Sequence, residues 1–362
     1  MTHMIVTAST VKDTLAGVER FVTGNLANGV DHMFVFLDAD DPEVQGFLDS
    51  HDDVTCVRTG PEWWRGARPK ALNDRQRINA NLVKVLLAPF SWADWVFHID
   101  GDEIALVDRD ALAAVPEEQR VVRLAPREAV SRMRWEGDPT HFKRLLDKPD
   151  LALLHTLGAI DKPANGSYFH GHVFGKVGLR PCLDLWLALH QVVDADREQV
   201  EAASDERLRL LHYESYSGDE FVRKWTALLR AGPMSSFRPA REPTALALQA
   251  LLAKGLNPER ARPYLERIFE RTTLDDFETL ADLGLLEEHR PLEGTHEPEP
   301  FPEGAREEME TLLEQLAGEP KASFHPGGGT ADVADMLARA GIDVGAVDGG
   351  RVKAGRRFLR RS

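Results

Sequence analysis

Apolar and polar positions alternate in blocks along the first hundred residues. Met4-Ile5-Val6-Thr7-Ala8 is a short apolar run giving way to Ser9 and Thr10, the pattern of a buried strand feeding a loop. From Val11 to Leu26 apolar residues recur at Val11, Leu15, Val18, Phe21, Val22 and Leu26, and Asn28-Gly29 follows. That spacing predicts an amphipathic helix with a glycine stop. His32 to Leu37 reads as a second strand, running into Asp38-Ala39-Asp40-Asp41-Pro42, and Pro42 to Ser50 as a short helix. Val54 to Val57 is a third strand, Arg75 to Leu87 a helix, and Trp95 to Ile99 a fourth strand that runs into Asp100-Gly101-Asp102-Glu103. This alternation predicts an α/β sheet with parallel strands. Ligands of such sheets bind beyond the carboxyl ends of the strands. The ends at Thr7 to Ser9, Asp38 to Asp41 and Asp100 to Glu103 are therefore expected to converge on one cleft.

Beyond residue 120 the pattern loosens. Val121 to Leu124 reads as a strand, and Asn165 to Pro181 is rich in glycine and histidine. After His212-Tyr213, the stretch Ser217-Gly218-Asp219-Glu220-Phe221 looks like a capped helix start. Helical periods follow over Phe221 to Leu229, Ala245 to Ala253, Pro258 to Arg271 and Leu274 to Leu286. Leu292 to Gly304, with Pro291, Pro298, Pro300 and Pro302, is a linker by composition. Short helices are expected over Ala305 to Leu316 and Ala331 to Ala340, on either side of Pro326-Gly327-Gly328-Gly329. No repeat of fixed period is present. The expected organisation is an α/β domain over residues 1–230, a helical region over 231–290, and a linker, short helices and basic tail over 291–362.

Composition narrows the classes. The chain has 362 residues, 43% of them apolar, enough for a large core rather than a disordered chain. Cys56 and Cys182 are its only cysteines, too few for a disulfide framework or a sulfur cage. Lys plus Arg number 44 against 59 for Asp plus Glu, a net charge of −15. That balance argues against duplex nucleic acid as a partner, because cationic side chains supply much of that affinity. No apolar run approaches the roughly 18 residues of a membrane span. Met1 to Thr10 lacks a positive region, and Lys12 and Asp13 interrupt its apolar stretch, so a cytoplasmic setting is expected. The exception to the acidic balance is Arg351 to Ser362, which holds Arg351, Lys353, Arg356, Arg357, Arg360 and Arg361 and no acid. Such a tail is either solvated or docked on anionic lipid headgroups at the inner membrane face.

The sharpest chemistry lies at the end of the fourth strand. Asp100 and Asp102, two residues apart, share a face if the strand continues through them. Gly101 between them would let a ligand approach the backbone. Carboxylate oxygens suit a hard divalent cation that also binds substrate phosphates; the plainer reading is a solvated acidic turn. Asp38 could hold a ribose hydroxyl or a base edge, whereas Asp40 and Asp41 suit a cap for the helix at Pro42. Gln76 and Asn79, three apart, share a helix face. In the Gly-His stretch, Lys176 and Arg180 could neutralise phosphate. A zinc site on His170 and His172 lacks a third ligand at motif spacing.

Together these elements resemble the glycosyltransferases of the GT-A fold, specifically the family-2-like bacterial group. The matching elements are the opening strand with Val11-Lys12-Asp13, Gly29-Val30-Asp31-His32, Asp38, Trp95 to Glu103, and Leu211-His212-Tyr213 leading to Ser217-Gly218-Asp219-Glu220-Phe221. They span roughly residues 1–230. The resemblance implies a mixed, mostly parallel, Rossmann-like sheet flanked by helices, with a helical C-terminal region. It implies transfer of a sugar from a nucleotide-diphosphate-sugar donor to a glycan, lipid-linked or other acceptor, with Mn²⁺ or Mg²⁺. By motif match Asp102 is the direct metal ligand, and Asp100 touches ribose or metal-bound water. His212 is then a further ligand or a diphosphate contact, and an imidazole favours Mn²⁺. Thr7, Lys12, Asp38, Gln76, Asn79, Asp100, Lys176 and Arg180 are the expected donor contacts. The group inverts, and inversion needs a base for the acceptor hydroxyl; Glu128 and Asp184 are the candidates. Thr14 is a departure, standing where relatives often carry an acid. Two other readings compete. A nucleotidyltransferase would carry a Gly-rich basic loop after the first strand, and Thr7 to Lys12 has no glycine. A non-catalytic nucleotide- or glycan-binding domain would have no need of both Asp100 and Asp102.

Overall fold

The structure, a computed structural model, describes residues 3–230 and 242–326, with residues 335, 337–338, 344–348 and 351–354. In chain order the elements of its first part are β1 (Met4–Val11), α1 (Leu15–Leu26), β2 (His32–Leu37), α2 (Pro42–Asp49), β3 (Val54–Arg58), α3 (Pro61–Trp64), α4 (Leu72–Leu87), β4 (Ala93–His98), β5 (Glu103–Val107), α5 (Arg109–Ala113) and β6 (Val121–Ala129). Then come β7 (His141–Arg144), α6 (Lys148–Thr156), α7 (Asn165–Tyr168), β8 (Lys176–Leu179), β9 (Trp186–Leu187), β10 (Val192–Val193), β11 (Gln199–Val200) and β12 (Ala203–His212). The remainder is α8 (Gly218–Arg230), α9 (Glu242–Leu252), α10 (Pro258–Thr272), α11 (Phe277–Asp282), β13 (Leu286–Glu288), α12 (Ala305–Ala317), β14 (Val344–Asp348) and β15 (Arg351–Ala354). Two compact units interleave along the chain: Met1–Ala125, Phe174–Leu210 and Pro291–Ser362 form one, and Pro126–Val173 and Leu211–Arg290 the other.

The first unit is the α/β sheet the pattern predicts. β3, β2, β1 and β4 lie side by side and parallel, and β8 runs antiparallel to β4 and to the start of β6. Strand side chains alternate between faces, so the sheet feeds two cores. Met4, Val6, Ala8, Phe34, Phe36 and Val96 pack with Ile78, Leu82 and Leu86 of α4. Ile5, Val11, Met33, Val35, Leu37, Trp95, Phe97 and Ile99 pack with Val18, Phe21 and Val22 of α1.

Local differences from the expected pattern have physical causes. β1 does not yield to a loop at Ser9 but continues to Val11, with Thr7, Ser9 and Thr10 all buried in it. α1 accordingly starts later, at Leu15, where Thr14 accepts a hydrogen bond from the Gly17 N–H and serves as the helix cap. The proline-rich segment is no free linker. The buried Asp31 carboxylate accepts from the backbone N–H of Ile5 and Glu299 and pairs with Arg109 and His296.

The second unit has a three-strand sheet of β13, β7 and the end of β6, all antiparallel. Phe221, Trp225, Leu248, Leu265 and Phe269 of α8, α9 and α10 form one of its cores. Leu146, Leu154, Tyr168, Phe169, Leu280 and Leu285 form another. The helix expected over Leu274 to Leu286 shrinks to α11. Asp276 caps its start, and Gly284, at φ 65°, ends it so that Leu286–Glu288 can pair with β7. Among the described residues no helix is long and apolar enough to cross a membrane. Most of the helix expected over Ala331 to Ala340, and the tail beyond Ala354, lie outside the described residues.

Candidate functional site

The carboxyl edge of the first unit's sheet carries a row of polar side chains on one face. Counting by two from the apolar residues that face α4, Ala8 leads to Thr10, Phe36 to Asp38, and Val96 to His98, with Asp100 just beyond it in the turn. α4 meets this row with Arg75, Gln76 and Asn79, one helical turn of a single face. Asn79 Nδ2 donates to Thr10 Oγ1 at 2.9 Å, and Gln76 Nε2 donates to Asp100 Oδ1 at 2.6 Å. Arg75 Nε donates to Asp38 Oδ2 at 3.1 Å, while Arg68 Nη2 and Thr59 Oγ1 donate to Asp38 Oδ1 at 2.8 and 3.2 Å. Asp38, expected to take a ribose or a base, instead has its charge matched by two guanidinium groups.

The D-x-D pair is presented by a turn, not by strand alternation. β4 ends at His98. Asp100 C=O accepts from the Glu103 N–H at 3.1 Å, and Asp100 N–H donates to Glu103 Oε2 at 2.7 Å. Asn25 fixes the exit, donating to Glu103 C=O and accepting from the Ala105 N–H. A Cβ on Gly101 would stand 3.1 Å from Val11 Cγ2, so this glycine serves close packing on β1 rather than access for a ligand.

Lys176, at the start of β8 and buried, reaches the same turn. Its ammonium lies 2.6 Å from Asp100 Oδ2 and 3.5 Å from Glu103 Oε2. Burial opposes its charge, but Asp100 and Glu103 outweigh burial and hold its pKa above the ordinary lysine value. His98 is also buried, and its ring nitrogens make no hydrogen bond among the described residues. Its Nε2 lies 3.8 Å from Asp100 Oδ1. Burial, reinforced by Lys176, pushes its pKa down to about 3.

Two expected donor contacts fall elsewhere. Thr7 lies inside β1, paired with Met33 and Phe97 and fully buried, its Oγ1 without a hydrogen-bond partner among the described residues. Because β8 runs antiparallel to β4, Arg180 emerges at the opposite end of the sheet from Lys176, about 13 Å along the strand at ~3.3 Å per residue. There it pairs with Asp94 and stacks on Trp95. Lys12 stands exposed just past β1, and Asp184 is half-buried in the loop between β8 and β9.

Glu128 and His212 belong to the second unit. Glu128 is fully buried on β6; it accepts from the His170 and Gly171 N–H groups and pairs with Lys143 at 2.9 Å. Burial alone would raise its pKa, but Lys143, His170 and His212 hold it below the ordinary glutamate value. A base needs an accessible lone pair and a pKa nearer neutrality, so Glu128 is corrected from candidate base to structural anchor. Asp275 completes the cluster. It pairs with Lys143 and His170 and accepts from the Ser131 N–H, and these contacts overcome burial to hold it at about 2. His212 ends β12 and stacks on His172 at 4.9 Å between centroids. His170 faces Asp275 rather than His172's partner, so the two histidines of the Gly-His stretch do not act as a pair.

Sequence reasoning missed Thr10, Arg68 and His98. Period-two counting along β1 and β4 would have found Thr10 and His98; Arg68 lies in a loop and leaves no periodic trace.

No protein-family profile matches the chain, and no curated protein does. Among solved structures it is similar to the galactosyltransferase LgtC, solved with donor and acceptor sugar analogs. The identity is 14% over 49% of this chain and 58% of that one, at a TM-score of 0.23. It is also similar to the bifunctional glycosyltransferase WbbM in its apo form, at 15% identity over 50% of this chain and 31% of that one, TM-score 0.23. The chain thus spans about half of the first and a third of the second.

Proposed function

We propose that the chain is a metal-dependent glycosyltransferase. It moves a sugar from a nucleotide-diphosphate donor to a glycan or lipid-linked acceptor, with inversion. The family resemblance of the sequence suggests the chemistry. The observation that carries it is the charge at the Asp100–Glu103 turn. Asp100, Asp102 and Glu103 gather three carboxylates at the carboxyl edge of a parallel sheet, where Lys176 faces Asp100 and Glu103. Such an oxygen-rich donor set suits Mg²⁺ or Mn²⁺. Asp102 would hold the ion directly, with Asp100 beside it. When bound, the ion neutralises charge developing on the leaving diphosphate.

The chain's own residues prepare for this. Gln76 and Lys176 hold the two oxygens of Asp100 in place. Arg68, half-exposed and oriented by Asp38, and Lys12, exposed beyond β1, supply cations for donor phosphate. Asp184 is the remaining candidate for the base.

The test is a thermal-shift panel of UDP, GDP, CDP and dTDP, each with and without Mn²⁺, since a ligand of the native state raises the melting point. One nucleotide should give a Mn²⁺-dependent shift, lost in Asp102→Ala and retained in Arg180→Ala. A shift unchanged in Asp102→Ala would sink the proposal.

A further inference from the structure

We propose that His98 is a ligand of the metal at the Asp100–Asp102 turn and biases that site toward Mn²⁺ over Mg²⁺. The inference rests on the proposed function and goes a step past it. A buried polar group without a hydrogen bond is costly, and a specific one calls for an explanation. His98 is 1% exposed, and neither ring nitrogen has a hydrogen-bond partner among the described residues.

The position of the ring supplies the explanation. β4 sends His98 to the same face as Thr10 and Asp38, and its Nε2 stops 3.8 Å from Asp100 Oδ1. That gap is too long for a hydrogen bond, and an ion bound to Asp100 is the kind of partner that would fill it. The other groups near the turn are already committed. Gln76 donates to Asp100 Oδ1, Lys176 to Asp100 Oδ2, and Asp100 N–H to Glu103. His98 alone of these brings a nitrogen lone pair rather than a donor hydrogen or an oxygen. Imidazole suits Mn²⁺, whereas Mg²⁺ keeps to oxygen ligands and water.

The experiment uses the full chain carrying His212→Ala, so that the other proposed imidazole contributes nothing. Mn²⁺ is added, and pulsed electron paramagnetic resonance reads nitrogen coupling to the ion. Coupling should be present in His212→Ala and lost when His98→Phe, which keeps a ring in the core, is added. Calorimetric titration should show Mn²⁺ affinity falling at least tenfold in His98→Phe, the scale at which even outer-shell partners act, while Mg²⁺ affinity holds within about threefold. Should His98→Phe fail to fold, His98→Leu in the same background gives the same reading of the coupling. Mn²⁺ bound in an Asp102-dependent way without nitrogen coupling would overturn the role of His98 and leave the transferase reading intact. Coupling that survives His98→Phe would do the same. Absence of any Mn²⁺ binding by the unmodified chain would overturn both.

Discussion

Replacing Lys143 by methionine tests the physics of the second unit most directly. The Lys143 and Glu128 side chains are fully buried, and Asp275 is 9% exposed. Methionine fills most of the volume but leaves two buried carboxylates facing each other without their shared cation. Removing one partner from a buried pair costs about 3–5 kcal/mol, a large share of the ~5–15 kcal/mol that stabilises a domain. The pH dependence gives the sharper readout. In the unmodified protein the pKa of Asp275 falls from 3.8 to about 2 on folding. A depressed carboxyl contributes stability above its unfolded pKa and loses it as pH falls through the folded one. That contribution, roughly 2 kcal/mol at 1.36 kcal/mol per unit, is therefore lost between about pH 4 and pH 2. In Lys143→Met that depression weakens: the shared ammonium is gone, while the His170, Gly171 and Ser131 N–H groups and the His170 ring still face the carboxylates. Both carboxyls then titrate higher than in the parent, so protonating them removes part of the difference. The gap between variant and parent should be about 3–5 kcal/mol at pH 7 and shrink steadily toward pH 4. Hydrogen exchange at the amides of Arg127–Ala129 and His141–Arg144 reads this locally, alongside urea unfolding. A gap below about 1 kcal/mol at pH 7, or one independent of pH, would refute the reasoning, because an uncompensated buried charge cannot be that cheap.

Two further substitutions probe other contacts. Gly171→Ala would put a Cβ 2.5 Å from His212 Cε1 and 2.7 Å from Glu128 Oε2, so chemical denaturation should show a loss of about 1–3 kcal/mol; no loss would mean that the turn can move aside. Thr7→Val removes a buried hydroxyl without a hydrogen bond and should gain about 1 kcal/mol with nucleotide binding unchanged, as read by melting temperature with and without ligand.

The α/β sheet was legible because its signals are local and repeated. His32–Leu37 has the predicted bounds, and α4 shares its last residue with the predicted helix. What the sequence hid was set by long-range partners. Thr7 looked like a loop residue because it is polar, yet β2 and β4 flank it and keep it in the sheet. Arg180 looked like a phosphate ligand because it is cationic and follows Lys176 closely. The antiparallel run of β8, which local pattern does not encode, carries it to the far end. Glu128 failed as a base for a similar reason. Its lysine partner is fifteen residues away along the chain, on a neighbouring strand, and only pairing of β6 with β7 reveals that the charge is spent.

That last contrast separates the two acidic clusters as candidates for chemistry. In the second unit both oxygens of Glu128 and both of Asp275 already face a donor: His170 N–H, Gly171 N–H, Lys143, the His170 ring or Ser131 N–H. Their low pKa values follow from that saturation, so a perturbed carboxyl here marks architecture. At the Asp100–Glu103 turn one lysine faces three carboxylates, and Asp100 keeps 26% of its side chain exposed. A protein stabilises a buried charge by matching it with its own groups. Where three carboxylates gather at the edge of a sheet, a divalent cation is a fitting partner, and the groups that already hold Asp100 in place cost nothing more when it arrives. Carboxylates gathered at a partly exposed turn, rather than the size of any pKa shift, are what favour this turn over the second unit's cluster for the proposed activity.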